Sequence, residues 1–323
     1  MKIALLGAAG FVGRAAAVDL SRRPEVGEIL LVDYVIRDAK KMAKALSPKC
    51  RYAMADVGKA LELTRLLQGI DAVASAVGPG EEYEKTVLLA CASLRIPAAS
   101  IGDGALPPED RNEIHAAFRS AGTAAVSGCG MMPGWTELLA AHFLGGGEPS
   151  PGASPEGLAR YLFFSPDRFG GYTFLREFSK RVGGEVPPPK GAPPGRYFAL
   201  AGGATAGVPE GKAAARLGGI ANTVGRLGIV GKEFSAALLL WLRGAMTGSP
   251  GTPAAACGVT DGRRTARLDD PQGVLGSILL AETAVRLASR SRETYGLLPL
   301  GELIGREAAR AIATDAGATI TTG

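Results

Sequence analysis

Residues 7–13 read GAAGFVG, with Gly7, Gly10 and Gly13 spaced by three. Glycines at that spacing, between an apolar strand and a helix, make a turn that presents backbone N–H groups. The helix N-terminus adds partial positive charge, so the chemistry offered is pyrophosphate binding. Gly7 permits the turn, Gly10 leaves room for phosphate, and Gly13 lets the helix pack on the sheet. Ala9, Phe11 and Val12 supply the rest of the cradle; a turn that serves packing alone is the alternative. The run EILLVD ends in Asp33, at the distance beyond Gly13 where an acid meets ribose hydroxyls in dinucleotide domains. A carboxylate there suits NAD and repels the extra phosphate of NADP. Arg37, Lys40 and Lys41 follow and offset that repulsion, so NAD is expected with NADP open beside it. A helix cap or a surface acid is the plainer role for Asp33. Asp56 and Val57 are expected to flank the adenine. Ala76, Val77, Gly78 and Pro79 are expected to line the floor under the nicotinamide half.

Hydride transfer asks the protein for positioning and for a group that manages a proton. Asp103, after a fifth apolar run, is placed to hold a substrate ammonium or move a proton; a loop acid ahead of PPEDRNEIHAAF is the alternative. Tyr172 and Arg176 are four apart in YTFLREF and share a face of the helix expected there, with Arg168 before them. Arginine suits bidentate carboxylate binding and tyrosine can donate to a carbonyl, although a surface salt-bridge face has the same pattern. Pro133 and Gly134 open a helix, WTELLAAHF, whose N-terminal N–H groups suit a carboxylate bordered by Trp135 and Thr136. Cys129 reads as a small buried thiol, His115 as structural, and His142 as the end of an apolar helix. No Tyr-x-x-x-Lys pair exists: Val87 follows Tyr83 and Arg176 follows Tyr172 at that spacing. That argues against an ordinary short-chain dehydrogenase. Four scattered cysteines and 2 histidines argue against a metal site and fit a reducing, cytoplasmic setting.

These residues need a frame. Over 1–134 short apolar runs alternate with helical patterns of ten or so residues, which means βαβ units and a parallel sheet. Six strands in that order predict a doubly wound α/β Rossmann domain over 1–134. The texture then changes. GGGEPSPGASPEG (145–157) is a loop, and a second α+β domain for substrate binding or dimerisation is expected over 135–323, with the last 25 or so residues free to pack back on the first. LARYLFF and RYFALAG read as strands, and AACGVTDG and RRTARLDD as strands that can pair. GGYTFLREFSKRVGG, EFSAALLLWLRGAM and PQGVLGSILLAETAVRLASR read as helices, and EVPPPKGAPPG as a stiff loop.

A chain of 323 residues with 46% hydrophobic and 21% charged residues is globular and suits about two domains. The net charge of +5 is diffuse, with no basic block of the kind that binds nucleic acid. FSAALLLWL (234–242) is about half a membrane span, so no integral span is expected and the segment reads as a buried helix or subunit contact.

Several stretches resemble the saccharopine dehydrogenase-like (saccharopine reductase-like) oxidoreductases. They are GAAGFVG, AVGPGEEYEKTVLLACASLRIPAASIGDG, AAVSGCGMMPGWTELLAAHF, FLREFSKRVGGEVPPP and the closing GLLPLGELIGREAARAIATDAGATI. SGCGMMPGWTELLA is the most specific of these. The resemblance implies an NAD(P)-dependent dehydrogenase or reductase with a Rossmann domain and a second domain that dimerises. It implies a substrate that is a small carboxylate-bearing metabolite of the amino-acid or opine type. Two departures lie at substrate-side positions: PGWTELLA carries Glu137 where relatives often have Asn, and AASIGDG replaces an aromatic–acidic strand end. A nucleotide-binding sensor or scaffold without catalysis, and an enoyl reductase acting on a lipid-like substrate, are the competing functional readings.

Overall fold

The structure, a computed structural model, describes residues 1–102, 106–144, 158–165, 182–200, 203–209, 252–290 and 294–323. The described residues divide into two compact units: 1–134 with 276–305, and 135–144 with those between 158 and 275 and with 306–323.

In the first unit β1 (Lys2–Leu6), α1 (Phe11–Arg22), β2 (Glu28–Asp33), α2 (Ile36–Leu46), β3 (Cys50–Met54) and α3 (Ala60–Leu66) alternate. β4 (Ala72–Ser75), α4 (Gly80–Ser93), β5 (Ala98–Ser100), α5 (Pro108–Ala121) and β6 (Ala124–Val126) continue the pattern. Ile3 to Leu6 and Ala72 to Ala74 are wholly buried, because a parallel sheet covered on both faces needs continuous apolar strands. A seventh strand, β13 (Gly296–Leu297), comes from the far end of the chain and pairs parallel with β6. The order is β13-β6-β5-β4-β1-β2-β3, a doubly wound Rossmann sheet. Sequence reading expected six strands; a two-residue strand is too short to carry any periodicity.

The second unit holds β7 (Ala159–Phe164), β8 (Val182–Val186), β9 (Arg196–Leu200), β10 (Thr205–Val208), β11 (Ala255–Thr260), β12 (Thr265–Asp270) and β14 (Thr319–Thr322). Their order is β14-β12-β11-β7-β10-β9-β8, antiparallel except where β10 runs parallel to β7. AACGVTDG and RRTARLDD do pair, from Ala255 against Asp270 to Thr260 against Thr265. α6 (Trp135–His142) lies against this sheet, and α9 (Arg306–Asp315) leads into β14.

Two segments differ from expectation. Residues 182–186, the end of GGYTFLREFSKRVGG and the start of EVPPPKGAPPG, form β8. The closing residues divide: α7 (Leu275–Ser289) from Gly276 on, and α8 (Leu300–Leu303), belong to the first unit, while residues 306–323 belong to the second, where Ile320 pairs with Leu268. The segments 145–157 and 234–242 lie outside the described residues. Among the described residues no helix is long and apolar enough to cross a membrane.

Candidate dinucleotide site

β1 ends at Leu6, and the chain turns at Gly7 with φ +71°, a conformation that favours glycine. A Cβ on Gly7 would stand 2.9 Å from the Ala76 carbonyl oxygen, and one on Gly13 would overlap the Gly7 carbonyl. The turn is therefore pressed against the end of β4 below and the first turn of α1 behind. Gly10 is different: it is exposed, and a Cβ there would meet only the Gly7 carbonyl, at 3.2 Å. It donates its N–H to that carbonyl at 3.1 Å and precedes α1, with no side-chain cap. The first-turn N–H groups of a helix have no carbonyl four residues back to bond. A cradle that side chains would fill, at an uncapped helix N-terminus, fits a pyrophosphate.

Asp33 stands at the end of β2, and its carboxylate is tied to this turn. Ala9 donates its backbone N–H to Asp33 Oδ2 at 2.8 Å, and Val35 donates to Oδ1 at 2.9 Å. Arg14, one turn into α1, donates Nε to the Ala9 carbonyl at 2.7 Å, and its guanidinium reaches Asp38 at 3.9 Å. The guanidinium of Arg37 is almost fully exposed. Arg14 was not singled out from the sequence; its signal is a cation one residue past the last glycine.

Asp56 follows β3. It accepts from Gly58 N at 3.1 Å and pairs with Lys59 at 3.7 Å, with Val57 partly buried beside it. Ala76, Val77 and Gly78 follow β4 and are partly or fully exposed, while Pro79 is buried and caps α4. Gly7, Ala9, Gly10, Phe11, Val12, Gly13, Asp33, Asp56, Val57, Ala76, Val77, Gly78 and Pro79 thus all stand at or just beyond the carboxyl edge of the strands. Open α/β sheets bind ligands at that edge.

The next two strand ends carry an arrangement that sequence reading missed. Glu84 on α4 is 3% exposed. Ser127, just past β6, donates its hydroxyl to Glu84 Oε1 at 2.7 Å. Gly102, with φ +44°, crosses so close that a Cβ would stand 2.6 Å from Ser127 Oγ and 3.0 Å from Glu84 Oε1. The signal existed: Glu84, Val87, Leu88 and Cys91 follow the i, i+3, i+4, i+7 pattern of a buried helix face, with an acid at its head.

Asp103, Arg168, Tyr172 and Arg176 lie outside the described residues. Cys129 is wholly buried, and burial pushes its thiol up to about 12, which suits a structural thiol. His115 Nδ1 accepts the Leu297 N–H at 3.3 Å, so it steadies β13. Among the described residues no three His, Cys, Asp or Glu gather as metal ligands.

Residues 3–126 match the family model of the saccharopine dehydrogenase NADP binding domain. The solved saccharopine dehydrogenase (L-Glu forming) of Saccharomyces cerevisiae is similar over 100% of this chain and 99% of its own, with TM-score 0.63 at 13% identity. Triphenylmethane reductase of Citrobacter sp. is similar over 39% of this chain and 48% of its own, with TM-score 0.33 at 16% identity. Uronate dehydrogenase of Agrobacterium tumefaciens is similar over 39% and 58%, with TM-score 0.31 at 13% identity. No curated protein matches the sequence. Residues 3–126 thus match the saccharopine dehydrogenase NADP binding domain in sequence, and the fold of the chain is similar end to end to that of the solved saccharopine dehydrogenase.

Proposed function

We infer that the preferred cofactor is NADP(H) and that the reaction moves hydride to or from a C–N or C–O carbon of a small carboxylate-bearing metabolite of the amino-acid or opine type. The observation that carries the cofactor preference is the engagement of Asp33. Each of its carboxylate oxygens already takes a backbone N–H, from Ala9 and Val35, so the acid is engaged within the turn. Arg14 and Arg37 stand close by as partners for an extra phosphate. The description of the matching family model supports the same choice. NAD is the alternative that Asp33 by itself favours.

When bound, the dinucleotide supplies the hydride donor or acceptor. The rest falls to this chain. Gly7, Gly10 and Gly13 hold the pyrophosphate cradle open, and Ala76 to Pro79 shape the floor. Asp103 is proposed to hold a substrate ammonium or move a proton, with Tyr172 and Arg176 proposed to orient a carbonyl and a carboxylate. A second copy of the chain as partner and a cytoplasmic setting belong to the same proposal.

Calorimetry with NADPH and NADH, followed by turnover on amino-acid, opine, imine and enoyl panels, tests this. NADPH binding with turnover on a carboxylate-bearing amine or imine is the expected result. Absence of nicotinamide binding overturns it, and tight binding without turnover on any panel supports a sensor or scaffold instead. Sedimentation of the purified chain checks the homodimer.

A further inference from the structure

We propose that Ser127, held by Glu84, is a ligand-facing acceptor at the carboxyl edge of β5 and β6 that recognises a protonated amine on the substrate. The proposal rests on the oxidoreductase reading above and assigns a residue for the amine end of its substrate. Ser127 is partly exposed, whereas Glu84 behind it is 97% withdrawn from solvent, being 3% exposed. The single hydroxyl proton of Ser127 is committed to Glu84 Oε1. A serine whose proton is spent can meet a ligand only with its lone pairs, so it takes a hydrogen-bond donor and rejects an acceptor. The bond to a carboxylate also draws electron density onto Oγ, which favours a cationic donor over a neutral one.

The surroundings fix this orientation. Gly102 passes within contact of both side chains, and any Cβ there would strike Ser127 Oγ. The Gly102 N–H turns to Ser100 Oγ at 3.3 Å and leaves the Ser127–Glu84 bond undisturbed. Cys129, two residues beyond Ser127, is wholly buried and adds no charge at neutral pH, since burial pushes its thiol up to about 12. A carboxylic acid buried on a helix face that otherwise carries Val87, Leu88 and Cys91 is costly for packing alone, because a leucine would fill that stripe. Its place at the sheet edge that binds ligands gives that cost a use.

The test uses the full chain loaded with NADP+ and calorimetric titration of three amines with their deaminated partners: L-alanine with propionate, L-lysine with caproate, and L-glutamate with glutarate. The wild type is expected to bind at least one amine about tenfold more tightly than its partner. Ser127→Ala and Glu84→Gln are expected to cut that preference to about twofold while NADPH affinity stays within about threefold. Ser127→Thr, which keeps the hydroxyl, restores the preference. If Glu84→Gln fails to fold, Ser127→Ala against Ser127→Thr decides alone. No amine preference in the wild type, or a preference that survives Ser127→Ala, overturns the proposal. Loss of NADPH binding in the wild type is a separate result that removes the cofactor reading instead.

Discussion

The backbone N–H of Ala9 donates to Asp33 Oδ2 at 2.8 Å, so the glycine turn after β1 and the acid at the end of β2 are one hydrogen-bonded unit. Asp33→Ala removes this bond and the one from Val35. Hydrogen bonds to a charged acceptor contribute on the order of 2 kcal/mol each, with partial exposure reducing that figure here. Denaturant unfolding of the variant is expected to show a loss of about 2 kcal/mol, and NADPH affinity to fall about tenfold as the cradle loosens. Unchanged stability and affinity would show that the turn holds itself.

Gly10 and Gly13 separate ligand binding from folding. Gly10→Glu points a carboxylate out of an exposed position toward the proposed pyrophosphate, so the melting temperature is expected to hold while nicotinamide binding disappears. Gly13→Ala forces a methyl group into the Gly7 carbonyl and is expected to cost about 1–3 kcal/mol of stability as well. Thermal melts and NADPH fluorescence on both variants check the contrast.

Cofactor choice is expected to follow the cations past the turn. The double variant Arg14→Gln, Arg37→Glu is expected to weaken NADPH about tenfold or more and leave NADH within about twofold. Equal losses for both nucleotides, measured by calorimetry, would assign these arginines to the fold instead.

Glu282 on α7 accepts hydrogen bonds from Arg23 and Arg286. Burial acts to raise its carboxyl, but the two guanidinium groups outweigh it and hold the group below its usual 4.5. A lowered folded-state value contributes stability that is full above about 4.5 and is lost as pH falls through the folded value. Glu282→Gln is therefore expected to cost about 2 kcal/mol at pH 7 and progressively less below pH 4.5 or so. Urea unfolding of both proteins between pH 7 and pH 3 measures this, and a pH-independent difference would refute it. Asp19, another acid on Arg23, works in the opposite direction, because burial raises its carboxyl.

In the second unit the rings of Tyr197 and Tyr161 lie over Gly207 and Gly258 on neighbouring strands, where a Cβ would stand only 2.3 Å and 2.4 Å from the nearest ring atoms. Both rings are about 1% exposed and cannot swing away, and their hydroxyls donate to the carbonyls of Pro193 and Gly191. Gly207→Ala and Gly258→Ala are each expected to cost about 1–3 kcal/mol by overpacking. A loss below about 0.5 kcal/mol in denaturant unfolding would mean that the rings can shift.

The sequence by itself determined the Rossmann unit and which residues stand at its carboxyl edge. Gly7 to Gly13, Asp33, Asp56 and the SAVGP run are local signals, each set by the end of one strand and the turn that follows, and strand ends of a parallel sheet share an edge. Tertiary structure alone decided what depends on residues far apart. Leu297 pairs with Ala125 across most of the chain, Arg23 meets Glu282, and Ser127 meets Glu84 forty-three positions away. An acid on a buried helix stripe is visible in EEYEKTVLLAC, but nothing local tells that acid from a solvated one beside it. Only the packing of α4 under β5 and β6 puts Glu84 out of water and a serine hydroxyl in front of it, because burial and partner choice are properties of the folded chain.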